Sequence, residues 1–360
     1  MNILRVMVLT KYGVIGASSR QRSLQYLPWF ESYDLRVTMQ AMLKDEQLAW
    51  RYRSGYYLVM DLLFAYAARI KVLLSSKLFS VIWIEKEALQ WFPLWLELAL
   101  LRGTPFVLDF DDAVFHNYDK HQSAWVRFFY GHRLDGLMAK AAIVVAGNSY
   151  LAQRALQAGA RRVEIVPTVI DLDRYHATTA KASELDGLQR IVWIGSPATV
   201  HYLKILSEPL QQLALRRPFV LRVIGGGEVR IKGVNVEFVQ WTENSEVESI
   251  AGCDLGVMPL QDSPWERGKC GYKLIQYMAC SLPVVASPVG VNSEIVQDGE
   301  NGYLANTTQE WVEALDALLA DAALRDRMGR VGRARVEDRY CIQKTGPKMA
   351  RLLKEAARGV

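Results

Sequence analysis

Residues 262–286 read DSPWERGKCGYKLIQYMACSLPVVA, and how this run is parsed decides the fold. It opens as a polar, glycine-bearing loop carrying Glu266, Arg267, Lys269 and Lys273. The apolar spacing predicts a short helix from Lys273 to Cys280, stopped at Ser281-Leu282-Pro283 because proline cannot continue it. A compact apolar strand, 283–286, follows. A glycine-bearing loop entering a helix presents backbone N–H groups and the positive end of the helix dipole, which suit an anionic ligand. Lys273 and Gln276 lie three apart and share one helical face. The plain alternative is a basic surface loop ahead of an ordinary amphipathic helix.

The same loop–helix–strand rhythm extends in both directions. Upstream in this half, strands are expected at 191–194, 221–224, 234–239 and 255–258, and downstream at 303–304. The loop Gly195-Ser196-Pro197-Ala198-Thr199-Val200-His201 leads into a helix after the first of them, and Gly225-Gly226-Gly227 follows the second. Between 171 and 188 apolar periodicity is lost, which reads as a linker. Before it lies another alternating set, with strands at 4–10, 35–39, 81–85, 106–112, 143–146 and 162–166. The tail from 325 to 360 is helical and charged. Two successive α/β halves predict two Rossmann-like domains, 1–170 and 190–335, joined by a linker at 171–189. A C-terminal helix, 336–360, is expected to pack back on the first domain.

Several polar clusters fall where strands end, which is where open parallel sheets bind ligands. After the first strand, a turn holding Gly13 and Gly16 brings Ser18, Ser19, Arg20 and Arg22 to a helix start near Gln21. It lacks the GxGxxG of nicotinamide binding; these residues sit where substrate meets the tip of a parallel sheet, with a capping serine and solvated arginines as the alternative reading. The fourth strand ends in Asp109, Asp111 and Asp112, with His116 beyond. Asp109-Phe110-Asp111 matches a D-x-D pattern used to hold a metal-bound nucleotide diphosphate, against a capping and turn role for the same acids.

Residues 46–76 mix Trp50, Tyr52, Tyr56, Tyr57, Phe64 and Tyr66 with Arg51, Arg53, Arg69 and Lys71. Such a mixture suits a helix lying on a membrane surface, and equally one packed on a sheet with its bases in water. Trp91-Phe92-Pro93-Leu94-Trp95 adds a second aromatic segment. The most apolar long segment, 56–74, is broken by Asp61, Arg69 and Lys71, short of the roughly 20 apolar residues of a span. The start, Met1-Asn2-Ile3-Leu4-Arg5, runs into a strand rather than a secretory signal, so a cytoplasmic protein, peripheral on the inner membrane face, is expected.

The chain has 360 residues, 51% apolar and 22% charged, enough for two ordinary domains. A net charge of +5 suits phosphorylated small molecules or an acidic membrane better than nucleic acid. Cys253, Cys270, Cys280 and Cys341 form neither a CxxC pair nor a metal-ligand spacing.

Residues 190–345 resemble the donor domain of GT-B glycosyltransferases, in particular glycosyltransferase family four. The likeness rests on Asp254-Leu255-Gly256-Val257-Met258-Pro259, then Lys273-Leu274-Ile275-Gln276-Tyr277-Met278-Ala279-Cys280, then Pro283-Val284-Val285-Ala286-Ser287. It continues in Val289-Gly290-Val291-Asn292, Glu294-Ile295-Val296 and Asn301-Gly302-Tyr303-Leu304. The first half is similar in its glycine loop, its acid cluster and Pro167-Thr168-Val169-Ile170-Asp171.

The resemblance implies two domains facing across a cleft and transfer of a sugar from a nucleotide diphosphate with retention, without a required metal or other cofactor. It places Gly195, Ser196, Thr199, His201, Arg267, Lys269, Lys273, Gln276, Val289, Gly290 and Glu294 around the donor. Lys269 and Lys273 would serve the leaving diphosphate; Asp109, Asp111, Asp112 and His116 would orient the acceptor hydroxyl. Gly16, Ser18, Ser19, Arg20 and Arg22 would bind a glycan or lipid-linked acceptor of cell-surface polysaccharide or lipopolysaccharide synthesis. Three positions depart from the family pattern: Gln276 and Gly268 stand where its paired glutamates would be, and His201 where it has a lysine. Two other readings compete. One is a metal-dependent phosphoryl or nucleotidyl enzyme built on residues 109–112. The other is a non-catalytic sugar-nucleotide binding protein.

Overall fold

The computed structural model describes residues 3–175 and 186–359, so most of the linker expected at 171–189 lies outside the described residues. The chain forms two compact units. The first comprises Met1–Val169, Gly268–Cys270 and Ile342–Val360; the second comprises Ile170–Arg267 and Gly271–Cys341.

The first unit is built on six strands: β1 (Leu4–Tyr12), β2 (Leu35–Leu43), β3 (Val81–Glu85), β4 (Phe106–Phe110), β5 (Ile143–Ala146) and β6 (Val163–Ile165). They lie in the order β2-β1-β3-β4-β5-β6, and every pairing is parallel. Strands β3, β4 and β5 are buried at every position, as continuous runs such as VIWIE and FVLDF require when helices cover both sheet faces. Chain direction across the sheet reverses between β1 and β3, which makes their carboxyl ends a topological switch point. The closing helix, Ile342–Arg358, lays Ile342, Met349, Leu352 and Leu353 on the core that holds Val8, Phe30 and Trp83. Tyr26 and Thr345 share a buried hydrogen bond of 2.8 Å across that contact.

The region 46–76 is two helices, Asp45–Ser54 and Val59–Leu74. Gly55 ends the first at φ 85°, a left-handed cap that a side chain would strain. Arg69, read with the surface bases, is in fact buried. It donates to the carbonyls of Thr10 at 2.6 Å and Gln40 at 3.2 Å, which locks the second helix to the sheet.

The second unit repeats the plan with β7 (Arg190–Ile194), β8 (Val220–Ile224), β9 (Asn235–Val239), β10 (Leu255–Met258), β11 (Val284–Ala286) and β12 (Gly302–Leu304). Their order is β12-β11-β10-β7-β8-β9, again parallel throughout, with the switch point between β7 and β10. The helix of the opening stretch spans Tyr272–Ala279 and is buried from Leu274 to Ala279. Two sides of the sheet carry separate cores, one around Tyr277 and Met278, the other around Trp193 and Trp311.

Candidate functional site

In the first unit, polar groups converge at the carboxyl ends of β1, β3 and β4. Gly16 precedes the helix Ala17–Arg22, and a Cβ there would lie 2.2 Å from Tyr12 Cβ, so only glycine lets the chain turn so tightly. That turn brings both serines onto Glu85: the Ser18 hydroxyl donates at 2.9 Å and the Ser19 hydroxyl at 2.6 Å. Ser18 also donates to Asp111 at 2.7 Å, and Lys86 donates to Ser18 at 2.7 Å. Lys86 Nζ is 2.9 Å from Asp111. Burial opposes the charge on both partners, yet their attraction wins; the ammonium is held well above its ordinary range and the Asp111 carboxyl below its own.

Asp109 is engaged differently. Arg22 donates to it through Nη2 at 2.5 Å and Nε at 3.0 Å, and the Trp83 indole donates at 3.1 Å. Burial pushes the Asp109 carboxyl up to about 6 against the pull of Arg22. Arg22 also donates to the Val166 carbonyl at 2.8 Å, so this arginine ties β4 to the end of β6. His116 is buried, with Nδ1 at 2.7 Å from Asp119 and Nε2 at 2.9 Å from the Tyr150 hydroxyl. Arg20 is half-buried and donates to the Val14 carbonyl at 3.0 Å; Asp112 is half-buried. Among the described residues, no three His, Cys, Asp or Glu side chains are grouped to hold a metal ion.

Sequence reasoning missed the charged triplet Glu85-Lys86-Glu87, where β3 runs into polar residues at the switch point. Its signal was visible: three ionisable residues directly after a wholly apolar strand. Lys86 adopts φ 66°, a left-handed conformation that costs a non-glycine residue roughly 1–3 kcal/mol and marks a site where surroundings dictate backbone shape. Glu87 and Glu97 both pair with Arg133, and Glu97 also accepts from the Ala88 amide at 2.7 Å. Burial pushes the Glu97 carboxyl up to about 7.

Three residues of the opening stretch belong to this unit. Asn148 donates to the carbonyls of Gly268 at 3.0 Å and Lys269 at 2.9 Å, and the Cys270 thiol donates to the Asp111 carbonyl at 2.8 Å. A Cβ on Gly268 would lie 2.5 Å from Ala113 Cβ and 2.8 Å from its amide nitrogen. The position where the family places an acid has no room for a side chain of any kind. Lys269 is half-buried.

In the second unit the donor-side residues gather at the carboxyl end of β7. Gly195 follows that strand; a Cβ there would meet the Trp193 ring at 2.5 Å and Thr199 Oγ1 at 2.8 Å. Thr199 donates to the Ser196 carbonyl at 3.1 Å, and His201 Nδ1 lies 2.9 Å from the Ala198 carbonyl, closing a compact loop around exposed Ser196. Lys273 stands in the first turn of its helix with Nζ 5.6 Å from the centre of the Trp193 ring. Gly290 takes φ 54°, and a Cβ there would also lie 2.6 Å from the Arg267 carbonyl oxygen. Val289 beside it is buried, Glu294 is exposed, and Arg267 pairs with Asp262 at 2.6 Å.

Two further positions have internal partners. Gln276 is buried and donates to the Tyr175 hydroxyl at 3.1 Å; Tyr175 donates to Glu246 at 2.8 Å, which also accepts from Trp241 at 2.6 Å. Glu266 accepts from the Tyr202 hydroxyl at 2.6 Å and from Ser263. The helix therefore presents Lys273 near the loop and keeps Gln276 within a polar network of its own unit.

Two parallel doubly wound units in one chain define a GT-B fold. The same fold is found in sucrose-phosphate synthase from Thermosynechococcus elongatus, with a TM-score of 0.74 at 14% identity over 99% of this chain and 100% of that one. Anabaena HepE in complex with UDP-glucose gives a TM-score of 0.72 at 16% identity, covering 98% and 100%. Residues 189–321, in the second unit, match the family model of glycosyl transferases group 1. Among curated proteins it is similar to a D-inositol 3-phosphate glycosyltransferase of Nocardia farcinica, 26% identical over 54% of this chain and 48% of the relative. It is also similar to spore coat protein SA of Bacillus subtilis, 21% identical over 52% and 57%. The chain thus spans about half the length of the curated relatives it matches.

Proposed function

We propose that this protein is a retaining glycosyltransferase that moves a sugar from a nucleoside diphosphate to a glycan or lipid-linked acceptor. The observation that carries the reading is the arrangement at the end of β7. There Lys273, at a helix start capped by left-handed Gly271, lies over Trp193 beside the glycine-tight loop 195–201. A helix N-terminus with a lysine on its first turn suits a diphosphate, and the group 1 match covers the same residues. The UDP and UDP-glucose complexes of HepE support a uridine donor.

Breaking the sugar–phosphate bond passes through an oxocarbenium-like state, and the main catalytic need is to stabilise the departing diphosphate with fixed positive charge. Lys273 takes that role, with Arg267 and the loop amides of Gly195 and Ser196 supporting it. The leaving phosphate accepts the acceptor's hydroxyl proton, so no separate base is required. Thr199, His201, Val289, Gly290 and Glu294 shape the nucleotide side. Ser18, Arg20 and Lys86 of the first unit orient the acceptor, while Arg22 and Asp109 hold the sheet ends that carry them.

The acceptor chemistry we favour is a surface polysaccharide or lipopolysaccharide precursor. Its support is the helix Val59–Leu74, where Met60, Leu63, Phe64 and Leu74 are exposed along one stripe with Lys71, near exposed Arg51 and Arg53. Among the described residues no helix is long and apolar enough to cross a membrane, so such contact would be peripheral.

A thermal-shift panel of UDP, GDP and ADP, followed by incubation with UDP-glucose, tests the reading. Stabilisation by one nucleotide and release of an α-configured product from an α-configured donor are expected. No stabilisation by any diphosphate, or a product of inverted configuration, would overturn it.

A further inference from the structure

The first unit carries a cavity of about 880 Å³ lined by residues from Leu98 to Phe106, Lys140 to Ala142, Arg161, Arg162, Ala356 and Gly359. These segments precede β4, β5 and β6, so the cavity sits at the amino ends of the strands, opposite the end that gathers Ser18, Lys86 and Asp111. Its size falls within the range of small-molecule sites. Arg102, Lys140 and Arg161 are exposed on its wall, and Lys77 reaches the same rim, with its Cε 3.7 Å from a Cβ placed on Gly103.

Charge at this rim is not balanced. Glu164 and Glu355 both pair with Arg162, and Glu164 also with Lys348. Among the described residues, the side chains of Lys77, Arg102, Lys140 and Arg161 make no hydrogen bond and no ion pair. Helix C-termini collect at this end of an α/β layer, and cations there often bind the last carbonyls. That explanation does not hold for these four, since none donates to a carbonyl.

We propose that this cavity is a second binding site, separate from the sugar-transfer machinery, for a phosphate-bearing ligand. Four exposed cations gathered at one rim suit a group with two or more negative charges and spare acceptor oxygens. A soluble phosphate compound and an anionic lipid headgroup present the same chemistry.

The test uses the whole protein and two probes: inorganic pyrophosphate by calorimetry, and flotation with phosphatidylcholine vesicles with or without phosphatidylglycerol. The variant is Arg102→Glu/Lys140→Glu/Arg161→Glu. Pyrophosphate affinity about tenfold weaker in the triple variant is expected for a soluble ligand. Loss of flotation with phosphatidylglycerol vesicles in the triple variant, with pyrophosphate silent, assigns the site to a lipid headgroup. In either case nucleotide thermal shifts stay as in wild type, which separates this site from the donor site. Wild type binding neither probe, or a triple variant binding both as wild type does, overturns the proposal.

Discussion

Arg22 and Asp109 meet at 2.5 Å with both side chains sealed from water, joining the helix after β1 to the end of β4. Removing one partner of such a pair leaves a buried charge unmatched, whereas removing both does not. Arg22→Ala is expected to cost about 3–5 kcal/mol in urea unfolding, and Arg22→Ala/Asp109→Asn to recover much of that. A single variant within 1 kcal/mol of wild type, on the scale of an exposed pair, would show that the pair holds little together.

Glu97 sets a pH dependence. Its folded-state pKa is raised by burial to about 7, so the folded chain binds more protons than the unfolded one between the unfolded carboxylate range and that value. The stability it contributes is present at low pH and is lost as pH rises through about 7. Burial raises Asp109 to about 6, with the same sign in a slightly lower window. Unfolding free energy should therefore fall between about pH 4.5 and 7, by at most about 1.4 kcal/mol per pH unit for one group, and level off above that. Glu97→Gln, which keeps an acceptor for the Ala88 amide, should flatten that slope; an unchanged slope excludes Glu97 as its source.

Lys273→Ala removes the cation at the start of the helix Tyr272–Ala279. Because the charge it would stabilise develops as the diphosphate leaves, the loss should fall on kcat more than on KM, by roughly 100-fold or more. Steady-state kinetics beside a circular dichroism spectrum would decide. An intact fold with wild-type turnover removes Lys273 from the mechanism.

Restoring a glutamate at position 268 should not restore anything. A Cβ there meets the Ala113 backbone, so Gly268→Glu is expected to destabilise by about 1–3 kcal/mol and to leave turnover no higher. Higher turnover with unchanged stability would show that this loop has room for the acid.

The acid cluster makes a prediction of its own, because Asp109 is committed to Arg22 and Asp111 to Lys86 and Ser18. Turnover should survive dialysis against a chelator. If it is abolished and Mn²⁺ restores it, a metal-dependent role for residues 109–112 is favoured instead.

The strands were legible because they had to be. Parallel strands buried on both faces leave unbroken apolar runs, and IVVA, LGVM and VVA announce themselves with no knowledge of their partners. The loop 195–201 and the helix after Gly271 were legible for a local reason: glycine, turn and helix start are neighbours in the chain. Arg69 was misread because a base inside an aromatic helix looks the same whether it faces water or the carbonyls of Thr10 and Gln40.

What the sequence determined alone is the succession of strand, loop and helix, twice over, and the family motifs of the second half. What only the tertiary structure decided is the work of each polar residue. Arg22 finds Asp109 at a distance of 87 positions, Ser18 finds Asp111 at 93, and Asn148 finds Gly268 at 120. Periodicity records whether a residue faces the core. It carries no record of which distant partner meets it there, and for a buried charge the partner fixes whether it binds, reacts or holds the sheet together.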